Sequence, residues 1–286
     1  KPIIARKNAY SCHVLLPITI TTNQSSPSLF QQKLHLSFTD SFKYGRTCGT
    51  NKNKKAFLIY IGERERERLN DMDGESLEEH NAMMMTPLSA MAEAFEELDK
   101  MLRSREDDQQ LRLDTFCEAC SLVSVLFGCL GFAFKFAEVD YVSKVRDLKE
   151  ASRTSNTLQD ILDLDVANDT VKIQGSLSRN LRRVRQGLDL VRALFEQFLT
   201  TDQDCYLKEA ASRAYRQVCA PYHSWTVRTA VVAGMCVLPT RNQLLLKLNE
   251  TEQSAGKKMR RYIDASLPVI EYIDKLYLSR NISLDW

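Results

Sequence analysis

Five polar side chains stand at helical spacing inside otherwise apolar stretches of this 286-residue chain. Asp140 and Lys144 fall in VDYVSK, Arg179 and Arg183 in SLSRNLRRVRQGL, and His223 in PYHSW. The members of each pair are four residues apart, so each pair stacks on one face of its helix. The set offers one acceptor, three fixed positive charges and one imidazole. That is a kit for a small anionic group attached to an amide, because two arginines one turn apart can fork around one phosphate. It reads as a binding set. Asp140 with His223 could do acid–base work, but no nucleophile accompanies them. The chain has no G-x-S-x-G, no Gly-rich phosphate loop and no metal-ligand spacing, so neither catalysis nor a metal or other cofactor is expected.

Each piece also has a plainer reading. Asp140 and Lys144 can be a surface ion pair worth ~0.3–0.5 kcal/mol. Arg179, Arg182 and Arg183 share a face roughly opposite the apolar stripe and, with Arg185, can be a solvated helix surface. A lone histidine such as His223 is usually structural. Spacing alone leaves these alternatives open.

The elements that would carry these residues are helices. Thr86-Pro87 is a start signal, with proline at the first helical position. Leu88, Met91, Phe95 and Leu98 then form an apolar stripe. A longer apolar stretch begins near Asp114 and runs through Leu126, Phe127, Leu130 and Phe134, and Val139–Glu150 continues it with a more polar face. Thr157–Asp169 reads as a short helix, and Leu177–Thr200 as a strongly amphipathic one with Leu181, Val184, Leu188, Val191, Leu194, Phe195 and Phe198 on its stripe. Leu207–Val218, Trp225–Leu238, Asn242–Asn249 and Glu252–Leu278 follow, with Pro268 expected to kink or break the last. No β-alternation and no internal repeat occur. The expected class is all-α, a globule of about eight helices.

Composition divides the chain in two. Residues 1–71 hold 12 Lys/Arg against 5 Asp/Glu, are rich in Ser, Thr, Asn and Lys, and end in Glu63-Arg-Glu-Arg-Glu-Arg68. They are expected to be a disordered or spurious leader segment. Residues 72–286 hold the remaining 27 Lys/Arg against 32 Asp/Glu, so the presumed domain is mildly acidic. Its arginine cluster is therefore local, which argues against nucleic-acid binding. Cys117-Glu-Ala-Cys120 is a lone C-x-x-C, read as buried reduced thiols. No stretch reaches the ~18–20 apolar residues of a membrane span, and a cytosolic protein is expected.

In the order Asp-x3-Lys, Arg-x3-Arg, His-x-Trp, the chain resembles the glycolipid transfer protein superfamily over roughly residues 85–280. Within it, the likeness is to the plant accelerated-cell-death branch of ceramide-1-phosphate transfer proteins. EVDYVSKVRDL, GSLSRNLRRVRQGLDLVRALF and APYHSWTVRTA carry it. The resemblance implies a two-layer helical sandwich enclosing a lipid pocket, with residues 72–286 as the lipid-binding domain. It implies that Asp140 accepts from the sphingoid amide, that Lys144, Arg179 and Arg183 hold the phosphate, and that His223 donates to the acyl carbonyl. Trp225 would support the site or face the membrane. Leu126, Phe127, Leu130, Phe134, Val191, Leu194 and Phe195 are candidate acyl-chain lining, core being the plainer reading of each.

Glycolipid-binding members place a tryptophan where this chain has Arg183, so a phosphorylated ceramide is expected over a glycosylceramide. The function implied is non-vesicular transfer of ceramide-1-phosphate by a monomer in transient contact with membrane surfaces, with a role in programmed cell death. A lipid-gated regulator read by a protein partner, and a helical adaptor, are the competing readings.

Overall fold

Thr86 caps the first helix by accepting from the Ser89 N–H at 3.3 Å, and Pro87 opens it without losing a hydrogen bond. The structure, a computed structural model, describes residues 85–104, 110–200 and 207–286. The expectation for residues 1–71 lies outside them. Nine α-helices are described: α1 Pro87–Arg103, α2 Leu113–Cys129, α3 Lys135–Ala151, α4 Leu158–Ala167, α5 Leu177–Thr200, α6 Leu207–Val218, α7 Trp225–Met235, α8 Arg241–Leu248 and α9 Glu252–Leu278. Short 3-10 turns at Phe132–Phe134 and Ala220–Tyr222 precede α3 and α7. Among the described residues there is no strand, only one bridge between Arg112 and Thr157.

Helix starts follow side-chain chemistry. Thr157 with Asp160, Thr240 with Gln243 and Thr251 with Ser254 each close a reciprocal capping box. Two expectations about helix continuity do not hold. The apolar stretch from Asp114 does not run on to Phe134: α2 stops at Cys129, and Gly131 at φ +97° turns the chain into the 3-10 segment. That backbone is open to glycine and strained for any side chain, and it makes α2 and α3 two helices. Conversely, Pro268 does not break α9, which stays a single helix of 27 residues. A helical proline costs one N–H bond and displaces the carbonyl four residues back. Here that carbonyl belongs to Asp264, an exposed residue, where water can satisfy it.

The helices form two layers. α1 packs on α2; beneath them α3, α5 and α9 lie side by side, with α9 under α1 and α3 and α5 under α2. α4 touches α5 and α9, and α6 flanks α5. The core between layers centres on Tyr262, fully buried, whose ring meets Phe95 of α1 at 4.9 Å and Phe195 of α5 at 5.5 Å in edge-on geometry. α3 and α5 approach so closely at Gly187 that a Cβ there would stand 2.6 Å from the Tyr141 ring. α5 and α9 are further joined by Arg185, whose Nε donates to Asp274 at 2.8 Å while Nη1 donates to Asp189 at 2.7 Å. α5, the central helix, is thus fixed on several sides.

Candidate functional site

The N-terminal end of α5 is held from outside the helix. Asp165 of α4, itself buried, accepts from the Ser178 N–H at 2.7 Å, satisfying one donor that a helix start leaves orphaned. Tyr277 of α9 donates its hydroxyl to the Ser178 carbonyl. Asn180 donates to Asp147 of α3 at 3.4 Å. Arg179, between these anchors, emerges at a fixed place, and its Nη1 donates to the Lys172 carbonyl at 2.5 Å.

Asp140, Lys144 and Asp147 lie along the stripe of α3 that turns toward this end of α5. The Lys144 Nζ donates to Asp140 Oδ1 at 2.5 Å, with the lysine side chain 19% exposed and the carboxylate 45%. This is not the fully solvated pair that spacing alone allows. Arg183, one turn beyond Arg179, donates from Nη1 to Gln186 Oε1 at 2.6 Å. Burial pulls the Arg183 guanidinium below its ordinary pKa, and the positive charges of Arg179 and Arg182 add to that; Asp140 pulls the other way. His223 ends the second 3-10 turn, with Nδ1 2.9 Å from the Tyr215 hydroxyl. Its pKa is lowered first by burial and then by Arg183, with Asp140 opposing. Asp140, Arg183 and His223 therefore lie within reach of one another's charge, Arg179 joins them through Arg183, and Lys144 through Asp140.

The arginines of α5 sort by partner. Arg185 and Arg192 are committed to carboxylates, Arg192 donating to Asp189 Oδ1 at 2.8 Å from Nη2. Arg179 and Arg183 donate to neutral oxygens, so their charge is uncancelled by a bonded carboxylate. Arg182 does not belong to a solvated face at all: it is 3% exposed and donates to the Leu284 carbonyl at 2.6 Å. The wheel misplaces it because it assigns α5 a single buried side, whereas segment 282–286 and Tyr222 cover the opposite one.

Trp225 starts α7 two residues after His223 and is 78% exposed, with Val232 at 60% on the same face of that helix. The seven candidate lining residues, Leu126, Phe127, Leu130, Phe134, Val191, Leu194 and Phe195, all lie in the hydrophobic core, none more than 8% exposed. Cys117 and Cys120 are buried free thiols; burial pushes the Cys117 thiol up to about 12, so the reactive thiolate is disfavoured there.

Sequence reasoning missed Tyr215 and Gln186. Gln186 stands one helical turn from Arg183 and was legible as its neighbour. Tyr215 meets His223 only because the chain reverses at Ala220–Tyr222, for which the sequence carried just Pro221 as a signal.

Comparison with known proteins places this geometry in a class. Residues 111–250, which include the whole site, match the Glycolipid transfer protein (GLTP) family. The chain is 64% identical over 209 residues to the ACD11 homolog protein of Arabidopsis thaliana, spanning 72% of this chain and 91% of that one. It is 46% identical over 200 residues to Accelerated cell death 11 of the same plant, spanning 70% and 96%. Among solved structures, an aspartate mutant of Arabidopsis accelerated-cell-death 11 complexed with C12 ceramide-1-phosphate superposes with TM-score 0.68 at 45% identity, covering 70% of this chain and 100% of that one. Human ceramide-1-phosphate transfer protein with its 12:0 lipid, at 21% identity and TM-score 0.61 over 70% and 98% of the chains, shares the fold. The chain belongs to the glycolipid transfer protein family. Within that family it stands in the plant accelerated-cell-death 11 branch.

Proposed function

We propose that this protein binds ceramide-1-phosphate and carries it between membranes. The observation that supports this most is the pair Arg179 and Arg183, uncommitted to any bonded carboxylate and set beside Asp140 and His223. A phosphate monoester accepts hydrogen bonds from several donors at once, and two guanidinium forks with the Lys144 ammonium supply them. Asp140, held by Lys144, is the acceptor for the amide N–H and hydroxyl of the sphingoid base. The Tyr215 hydroxyl, its pKa raised to about 12 mainly by burial, keeps its proton and can donate to His223 Nδ1. Nε2 then carries the imidazole proton and donates to the acyl carbonyl.

An arginine in place of a flat aromatic platform favours a phosphate over a sugar. Leaving a buried guanidinium without its anion costs the wrong lipid ~1–3 kcal/mol. The acyl chains would part the apolar faces of α2 and α5, entering among Leu126, Phe127, Leu130, Phe134, Val191, Leu194 and Phe195. Each Å² of chain removed from water contributes ~25 cal/mol. Lipid moved down its gradient needs no bond made or broken, so no catalytic residue, metal or nucleotide has a part. The lipid-binding domain spans residues 72–286. The protein works as a cytosolic monomer that touches the membrane through Trp225. No described helix is long and apolar enough to cross a membrane. Kinship with accelerated-cell-death proteins extends the proposal to control of programmed cell death through a protein partner.

The test is transfer of fluorescent ceramide-1-phosphate and of galactosylceramide between vesicles. Transfer of the phosphate lipid alone, reduced ~10–100-fold in Arg179→Ala, Arg183→Ala and Asp140→Asn, is expected. Transfer of galactosylceramide would overturn the assignment of Arg183. Binding without transfer would mark a lipid-gated regulator instead.

A further inference from the structure

Arg182 is a buried cation with an incomplete set of partners. It is 3% exposed, its Nε and Nη1 lack hydrogen bonds among the described residues, and its Nη1 stands 3.9 Å from Asp274, which Arg185 already holds. Burying an ion with so few partners is costly. Two contacts show what that position joins. The guanidinium lies 5.8 Å from the ring of Tyr222, the residue before His223, and its Nη2 donates to the Leu284 carbonyl at 2.6 Å. Segment 282–286 is itself folded against α5 and α9: the Ile282 N–H donates to the Tyr277 carbonyl at 3.0 Å, the Trp286 ring meets Tyr277 at 6.3 Å, and Lys172 sits 5.5 Å above it. Lys172 is also the residue whose carbonyl receives Arg179.

We infer that Arg182 is a positioning residue that ties the His223 turn and segment 282–286 to one face of α5, so that headgroup binding and docking of this segment are coupled. This rests on the lipid reading above. The lipid acts through the His223 end of the linkage. A headgroup seated on His223 draws on Tyr222, Tyr222 packs on Arg182, and Arg182 holds the Leu284 carbonyl, so lipid binding favours the docked segment. By reciprocity, whatever loosens segment 282–286 must weaken the lipid by the same factor.

The chain has two tryptophans, Trp225 and Trp286, so 5-fluorotryptophan labelling of the full chain gives one fluorine resonance at each end of the linkage, assigned with Trp286→Phe. Titration with short-chain ceramide-1-phosphate should move both resonances. In Arg182→Met the Trp286 resonance should stop responding, and lipid affinity should fall about tenfold, with the thermal midpoint held because a buried charge with an incomplete set of partners is gone. Tyr222→Leu, a change at a surface turn, should uncouple Trp286 in the same way and decides the matter if Arg182→Met does not fold. A Trp286 resonance unmoved by saturating lipid, or still responsive in both variants, overturns the inference while leaving transfer intact. Absence of any lipid response at Trp225, together with no vesicle transfer, overturns the lipid reading and the inference with it.

Discussion

The imidazole of His223 sits between a phenol and the positive charge of Arg183, in a place where burial opposes its protonation. Its folded pKa lies below the ordinary 6.5, so on acidification the unfolded chain takes up a proton that the folded chain refuses. Stability linked to His223 is therefore complete above that value and is lost as pH falls through it. Melting curves of His223→Asn should decline less steeply than wild type between about pH 7 and pH 5; equal slopes would show that His223 titrates freely. At this scale the sequence offered the candidates for the proposed site. Asp140, Lys144, Arg179 and Arg183 were legible as candidates because chemistry and helical period coincide in them, and His223 by its place two residues before Trp225. Arg182 and Tyr215 were not, since their roles come from groups over a hundred residues away in one case and across a chain reversal in the other.

Among the elements, the crossing of α3 over α5 is set by the absence of one carbon atom. Gly187 lets the Tyr141 ring lie against the backbone of α5, and Tyr141 is 5% exposed with its hydroxyl donating to the Cys120 carbonyl at 3.2 Å. Gly187→Ala would gain intrinsic helix propensity of ~1 kcal/mol. The ring cannot retreat without breaking its own packing, so a net loss of ~1–3 kcal/mol is expected. Urea denaturation measures it, and a stabilised variant would mean that the two helices are free to separate. Since α3 carries Asp140 and α5 the arginines, the same substitution should lower lipid transfer. The start of the first helix was readable from the Thr86-Pro87 signal. The break at Gly131 was hidden because apolar residues continue across it in helical rhythm. The persistence of α9 through Pro268 was hidden because only the fold shows that Asp264 faces water.

For the molecule as a whole, the proposed function assigns adsorption to a membrane and selection of a lipid to different surfaces. An indole that buries even ~100 Å² at an interface contributes ~2.5 kcal/mol. Trp225→Ala should thus weaken adsorption to phosphatidylcholine vesicles by on the order of tenfold or more, as read by vesicle sedimentation. Unchanged sedimentation would move the contact to another face. The all-α class and the layers were accessible from periodicity and resemblance. The state of the interior was not, because a stripe of Leu, Phe and Val is the same whether it lines a cavity or closes one.

That interior bears on how a carrier travels through water. Leu126, Phe127, Val191, Leu194 and Phe195 belong to one hydrophobic core in this structure, each at most 6% exposed. A vessel that stayed gaping after delivery would cross water with a wide greasy surface and stick to its own copies. One whose apolar walls meet one another stays as inert in water as any other core, and the number of journeys is limited by the membranes it visits rather than by its own tendency to clump.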